Sequence, residues 1–199
     1  MADYAAPVRD IAFTLSTISD IDDIVALPGF DHVDTDMVDG VLDEAARFFG
    51  EVFAPTNEIG DTQGAVFADG SVTTPDEFKD AWTKLLDAGW ISVTGSPEFG
   101  GHGFPKTIGL AISEMMTSAN LAFSLCPMLT GSAITLLTRH GDDALRDAYL
   151  ENLITGVWTG TMVLTEPEAG SDVGAVRTKA TPNDDGTYAI DGVKIYITW

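Results

Sequence analysis

The sequence predicts a mainly α-helical domain followed by the first strands of a β domain. Apolar residues recur at three- and four-residue intervals through most of the first 157 positions, the period of a helix with one buried face. From about Thr159 the period becomes two, the alternation of strands. Turn residues then cut the last forty positions into short pieces. These signals divide the chain into an extension over 1–34, a helical domain over 35–157 and an incomplete β part over 158–199.

Pro28-Gly29 is a turn signal that closes the extension. Met37, Val38, Val41, Leu42, Ala45, Phe48, Phe49, Val52 and Phe53 then form one helical face, which Pro55 is expected to end. Residues 60–71 read as a loop. Thr74-Pro75-Asp76-Glu77 reads as a helix start, with Thr74 as cap, Pro75 in the first turn and Glu77 completing a capping box. Phe78, Ala81, Trp82 and Leu85 supply its apolar stripe, and Gly89 can take the left-handed stop.

A glycine-rich loop over 97–105 leads into helices over about 106–118 and 121–138. The stretch from Met115 to Thr138 lacks charge, as a membrane span would. Its hydroxyls, Pro127 and Gly131 favour two buried helices, or one broken helix, over a span. A last helix begins at Asp142 or Asp143, buries Leu145, Ala148, Tyr149 and Leu153, and ends near Gly156. Strands are expected over 159–165, 176–181, 187–190 and 193–198. Asp191-Gly192 is read as a tight type I′ hairpin turn between the last two. So few strands with a free edge make a poor independent unit, so the β part is read as incomplete.

Composition narrows the function. Ten basic residues face 31 acidic ones, a formal charge of −21. Nucleic acid and anionic membrane surfaces both require clustered Lys and Arg, so neither is an expected partner. Cys126 is the only cysteine, which rules out an internal disulfide. Its apolar neighbours mark a buried inert thiol, and a cytoplasmic location fits. His32, His102 and His140 have no partners at metal-ligand spacing, so no metal is expected.

The chemistry concentrates in Leu164-Thr165-Glu166-Pro167-Glu168-Ala169-Gly170-Ser171-Asp172. A strand end breaks there into a turn of small residues with free backbone donors. Gly170 lets a ligand approach the backbone and Ser171 adds a hydroxyl. Further on, Tyr196 offers an aromatic face and Thr198, two residues later, would point to the same side of a strand. From spacing alone this is either a turn that holds an anion or cofactor, or an ordinary β-turn with a structural Ser and Asp.

The Thr-Glu-Pro-x-Ala-Gly-Ser-Asp run resembles a signature of the acyl-CoA dehydrogenase family. Asp191-Gly192-Val193-Lys194-Ile195-Tyr196-Ile197-Thr198 follows at the family's distance and resembles its Gly-x-Lys-x-aromatic-Ile-Thr strand. Pro97–Gly103 looks like the family's loop between two N-terminal helices. The leading Tyr4-x-x-Pro7-x-Arg9-Asp10-x-x-Phe13-x-Leu15 looks like the extension of a larger subgroup, which includes 3-(methylthio)propanoyl-CoA dehydrogenases and some long-chain enzymes.

The resemblance implies the N-terminal portion of such an enzyme, its β part belonging to a barrel-like domain. It implies FAD as cofactor and an acyl-CoA thioester as substrate, oxidised to the 2-enoyl-CoA in fatty acid metabolism. It also implies an electron-transfer flavoprotein as electron acceptor and a homo-oligomeric assembly. Met162, Val163, Leu164 and Thr165 would line the flavin edge, with Thr165 at the pyrimidine. Gly170 and Ser171 would meet the pyrophosphate side, and Ser171 would also touch the acyl-CoA. Tyr196 and Ile197 would flank the ring, and Thr198 would hydrogen-bond the flavin N5. Trp199 departs from the family pattern, in which a small or polar residue follows that threonine. The family's catalytic carboxylate lies in a C-terminal helical domain with no counterpart in this sequence, so no catalytic residue is assigned here and the chain alone is expected to be inactive. Glu166 is read as holding the turn. An oxidase or monooxygenase on the same fold, and a non-catalytic binding or assembly module, are the alternative functions.

Overall fold

A computed structural model describes residues 4–198. The extension carries two helices, α1 (Val8–Thr17) and α2 (Ile21–Val25). Ile11, Leu15, Ile21 and Val33 bury their side chains in the same apolar cluster as the helices that follow, so the extension is stitched to the core. His32 reinforces this: its Nε2 lies 2.9 Å from the carbonyl of His102 in the glycine-rich loop.

Helix α3 (Thr35–Phe48) starts on Asp34, whose carboxylate accepts from the Met37 amide at 2.7 Å. Pro55 does not end the helical run as expected. A π-helical turn over Phe49–Phe53 is inserted first, with the Ala54 amide reaching back to the Phe49 carbonyl, and α4 (Ala54–Thr62) continues beyond it. Proline lacks an amide and crowds the carbonyl four residues earlier, and it is tolerated here because it falls in the first turn of α4.

The segment expected to be a loop contains a hairpin, β1 (Val66–Ala68) paired antiparallel with β2 (Ser71–Thr73). Asp69 and Gly70 both take positive φ, at 50° and 79°, as a two-residue hairpin loop requires. Helix α5 (Asp76–Asp87) follows. Its expected capping box is not formed: Pro75 occupies the cap position and no side chain caps the helix. Phe78, Ala81 and Leu85 are buried as expected, and Gly89 ends the run at φ 74°.

Helices α6 (Lys106–Ala119) and α7 (Leu121–His140) are separated by Asn120 alone. The Asn120 side chain accepts from the Phe123 amide and donates to the Thr56 hydroxyl at 2.9 Å, so the break is also a buried polar tie to α4. Helix α7 runs unbroken through Pro127. By length and composition alone it could cross a membrane, with a mean hydropathy of 1.6 over its most apolar window. The expectation that this stretch is buried holds for Phe123, Cys126 and Thr130, but Leu121, Met128 and Leu136 lie exposed.

Helix α8 (Asp143–Ile154) starts on Asp142, which accepts from the Leu145 amide. Its buried residues are Leu150, Leu153 and Ile154, while Leu145, Ala148 and Tyr149 are exposed. The buried stripe runs through the half-buried Arg146 instead. Reading Arg146 as polar shifts the expected face by one position.

The core is aromatic. Phe123 stacks between Phe53 and Phe78, at centroid separations of 4.4 and 4.6 Å with both interplanar angles 17°. Phe49 meets Phe53 edge-to-face at 5.3 Å and lies 5.9 Å from Trp90. One ring therefore links the π turn, α5 and α7. Phe123→Ala is expected to lower unfolding stability by about 3–5 kcal/mol, because a buried aromatic leaves a cavity that its neighbours cannot fill. Denaturant unfolding measures it; a loss under about 1 kcal/mol would show that the stack is not a structural centre.

Candidate functional site

Past α8 the chain turns at Gly156 (φ 78°) and crosses α7. The Gly160 amide donates to the Thr130 hydroxyl at 3.1 Å, while that hydroxyl donates to the Cys126 carbonyl at 2.8 Å. A Cβ on Gly160 would sit 2.7 Å from the Ala133 Cβ, so only glycine allows this approach. Burial pushes the neighbouring Cys126 thiol up to about 11, which keeps it protonated and inert.

From this crossing, residues 161–165 run antiparallel to residues 194–198. The Ile195 amide donates to the Thr165 carbonyl at 3.0 Å, and the Thr161 hydroxyl donates to the Thr198 carbonyl. The Lys194 ammonium donates to the Leu164 carbonyl at 2.9 Å. No regular ladder forms, so the strands expected over 159–165 and 193–198 are extended segments instead. Tyr196 takes a left-handed φ of 56°, which interrupts the alternation that would place Tyr196 and Thr198 on one side.

The regular strands are β3 (Lys179–Pro182) and β4 (Tyr188–Asp191), paired antiparallel with Lys179 opposite Asp191. Their turn lies over residues 183–186, where the sequence places a turn over 182–186, while the hairpin turn expected at Asp191-Gly192 toward 193–198 does not form. Neither Asp191 nor Gly192 has positive φ. Gly192 has a steric task instead: a Cβ there would fall 2.1 Å from the Thr178 hydroxyl.

Between the extended segments and β3 lies the signature turn. Glu166 and Ala169 exchange both backbone hydrogen bonds, at 3.0 and 3.1 Å, around Pro167 and Glu168. The Glu166 side chain folds inward and is only 3% exposed. Its carboxylate accepts from the Arg177 amide at 2.7 Å, from the amide and hydroxyl of Thr178, and from the Lys194 ammonium at 2.9 Å. The Thr178 hydroxyl, the Arg177 amide and Lys194, in that order, hold this carboxyl down at about 2. Asp172 makes a second local turn by accepting from the Gly174 amide at 3.1 Å.

Thr165 and Thr198 therefore lie on neighbouring segments, tied through Ile195 and Thr161. Met162, Val163 and Leu164 are exposed, and Ile197 is half-buried. Tyr196 is 90% exposed. Gly170 and Ser171 lie beyond the Glu166–Ala169 turn, both exposed, with open space where a Gly170 Cβ would be. No hydrogen bond joins Ser171 to the Thr165–Thr198 pair among the described residues. Trp199 lies outside the described residues.

Lys194 and Thr178, to which the motif gives no role, are the side chains that meet Glu166. A lysine inside an otherwise apolar run, opposite an inward-facing glutamate, is the signal that could have found them. The donor set fits a flavin: exposed apolar side chains beside an exposed phenol ring can receive a flat ring, and the free Ser171 hydroxyl and open Gly170 backbone can receive a phosphate.

Residues 37–157 match the family model described as acyl-CoA dehydrogenase, N-terminal domain. The chain belongs to the acyl-CoA dehydrogenase family. It is 47% identical to 3-methylmercaptopropionyl-CoA dehydrogenase of Ruegeria pomeroyi, over 98% of this chain and 33% of that protein. It is 36% identical to the broad-specificity linear acyl-CoA dehydrogenase FadE5 of Mycobacterium tuberculosis, over 100% of this chain and 32% of that protein. The solved butyryl-CoA dehydrogenase of Megasphaera elsdenii superposes with a TM-score of 0.69 at 27% identity, covering 83% of this chain and 41% of that one. The chain spans about a third of the length of these curated relatives.

Two outcomes are expected. Gly160→Ala should destabilise the chain by about 1–3 kcal/mol, and Ala133→Gly in the same chain should recover part of that loss. Strict additivity of the two would refute the close approach. The second concerns pH. The Glu166 carboxyl is held below its ordinary 4.5, so its stabilisation is complete above that value and is lost as pH falls toward about 2. NMR shifts of the Arg177 and Thr178 amides should move across that window; shifts that move only above it would contradict the assignment.

Proposed function

We propose that this chain supplies the helical wall and the flavin-edge segments of an FAD-dependent enzyme that oxidises an acyl-CoA thioester to the 2-enoyl-CoA. The observation that carries the reading is the apposition of residues 161–165 and 194–198, with Thr165 and Thr198 on neighbouring segments beside exposed apolar side chains. Bound FAD supplies the acceptor for the substrate's β-hydride.

The chain's own residues bind and orient. The edge of Met162, Val163, Leu164 and Thr165 receives the ring, with Thr165 at its pyrimidine portion. Thr198 donates toward N5, and Tyr196 and Ile197 flank the ring. Gly170 and Ser171 meet the pyrophosphate side, and Ser171 also contacts the acyl-CoA. None of these groups is a carboxylate or imidazole that could take the α-proton, and Glu166 is already engaged in four hydrogen bonds. The organisation that accompanies this reading is an extension over 1–34, a helical domain over 35–157 and a β part over 158–199.

An electron-transfer flavoprotein is the partner that fits a dehydrogenase of this family. Exposed apolar side chains on α7, with Tyr149 and Trp158 in ring contact beside α8, support a homo-oligomer. Helix α7 lies wholly inside the matched helical domain, which supports a packed helix in a cytoplasmic enzyme over a membrane span.

The full-length protein should purify yellow. Its flavin band, at about 450 nm, should bleach under anaerobic addition of an acyl-CoA, with 3-(methylthio)propanoyl-CoA and linear acyl-CoAs as the first probes. A protein that takes up no flavin, or whose flavin no thioester bleaches, overturns the reading. Peroxide release in air on a catalytic timescale would assign the oxidase reaction instead.

A further inference from the structure

We propose that Glu166 and Lys194 are a positioning pair that sets the register of the two flavin-edge segments, and through it the placement of Thr165 against Thr198. The proposal rests on the flavin reading above for its functional consequence, but not for its geometry.

The two segments are under-determined by their backbones. Between residues 161–165 and 194–198 there is one backbone–backbone hydrogen bond, from Ile195 to Thr165. A single bond does not fix register against a slip, and a slip of one residue would set Thr165 and Thr198 against different neighbours. Lys194 supplies what the ladder lacks. Its ammonium donates to the Leu164 carbonyl and to the Glu166 carboxylate, both at 2.9 Å, so one cation grips the opposing segment at two points.

The other end of the grip is equally constrained. The Glu166 carboxylate is held by the Arg177 amide and by the amide and hydroxyl of Thr178, at the entry to β3. Three stretches of chain therefore converge on one carboxylate. The pair is shielded, with the Lys194 side chain 17% exposed and that of Glu166 3%. Shielding separates it from the surface pair Lys79–Asp76, whose side chains are 57% and 89% exposed. The grip is also adjacent to the groups it would place: Thr165 precedes Glu166, and Ile195 follows Lys194. Tyr196, with its left-handed backbone, makes the segment bend just beyond the clamp. A compact ammonium suits this role because its three donors can point to separate acceptors.

The test uses the full-length protein with Lys194→Met, which keeps the apolar stem and removes the charge, and Lys194→Arg, which keeps the charge. Lys79→Met is the control for loss of a surface cation. Hydrogen exchange at the Ile195 amide, in protein stripped of flavin, reads whether the one backbone bond that marks the register is held. Lys194→Met should speed that exchange about tenfold or more, the scale expected for losing a charged hydrogen bond, with helical amides in α6 and α7 unchanged. FAD affinity, followed by flavin fluorescence, should weaken about tenfold with a shifted absorption maximum, and Lys194→Arg should recover most of both effects. Unchanged Ile195 exchange in Lys194→Met overturns the positioning claim. So does wild-type flavin affinity and spectrum in Lys194→Met, or an equal effect from Lys79→Met. Wild-type protein that binds no FAD would sink the flavin reading alone, because Ile195 exchange still decides the register.

Discussion

The β part of this chain depends on one buried anion. Glu166 leaves water for a site where a bare carboxylate would be costly, and it is stable there because each approach to it carries a donor. The arrangement is also selective. A shorter aspartate would not span from the turn to Lys194, and a glutamine would leave an ammonium uncompensated. The tight turn at Pro167-Glu168, the entry of β3 and the returning segment are three consequences of the same neutralisation. Regular ladder pairing in this region is confined to four residue pairs of β3 and β4, so side-chain electrostatics does the work that backbone pairing does in a larger sheet.

The helical part depends on a different force. Its centre is a stack of rings that joins elements far apart in sequence, with Phe123 of α7 between Phe53 and Phe78. The two halves meet where Thr130 of α7 receives the Gly160 amide. An apolar core therefore positions a polar edge through a single crossing of α7, and the crossing demands a residue without a side chain. Stability and site geometry are linked at that point.

Much of the helical part was legible from periodicity. Phe48, Phe53, Phe78, Leu85 and Leu153 lie on apolar faces and are buried. The failures have local causes. The stripe of α8 was misplaced by one position because it runs through Arg146, a charged residue that is half-buried. Two of the four Asp-Gly pairs show the limit of turn signals. Asp69-Gly70, in a segment read as a loop, is a true hairpin turn with both φ values positive. Asp191-Gly192 has the same letters, yet Asp191 is paired with Lys179 and Gly192 is glycine only to clear Thr178. Tertiary crowding, invisible at that range, decides between the two uses. In the site, the motif located Thr165, Ser171 and Thr198 along the chain, but the convergence of Arg177, Thr178 and Lys194 on Glu166 needs three-dimensional closure to be seen.

The wide turn at Phe49–Phe53 has a consequence for how the aromatic centre is built. A π turn holds more residues than an α turn, so every later side chain is set back around the axis relative to a uniform α-helix. Helices α3 and α4 thus share a rod but face in different directions, as two gears keyed at an offset on one shaft. The rings of Phe48, Phe49 and Phe53 are buried across that offset, and beyond it the Thr56 hydroxyl accepts from Asn120.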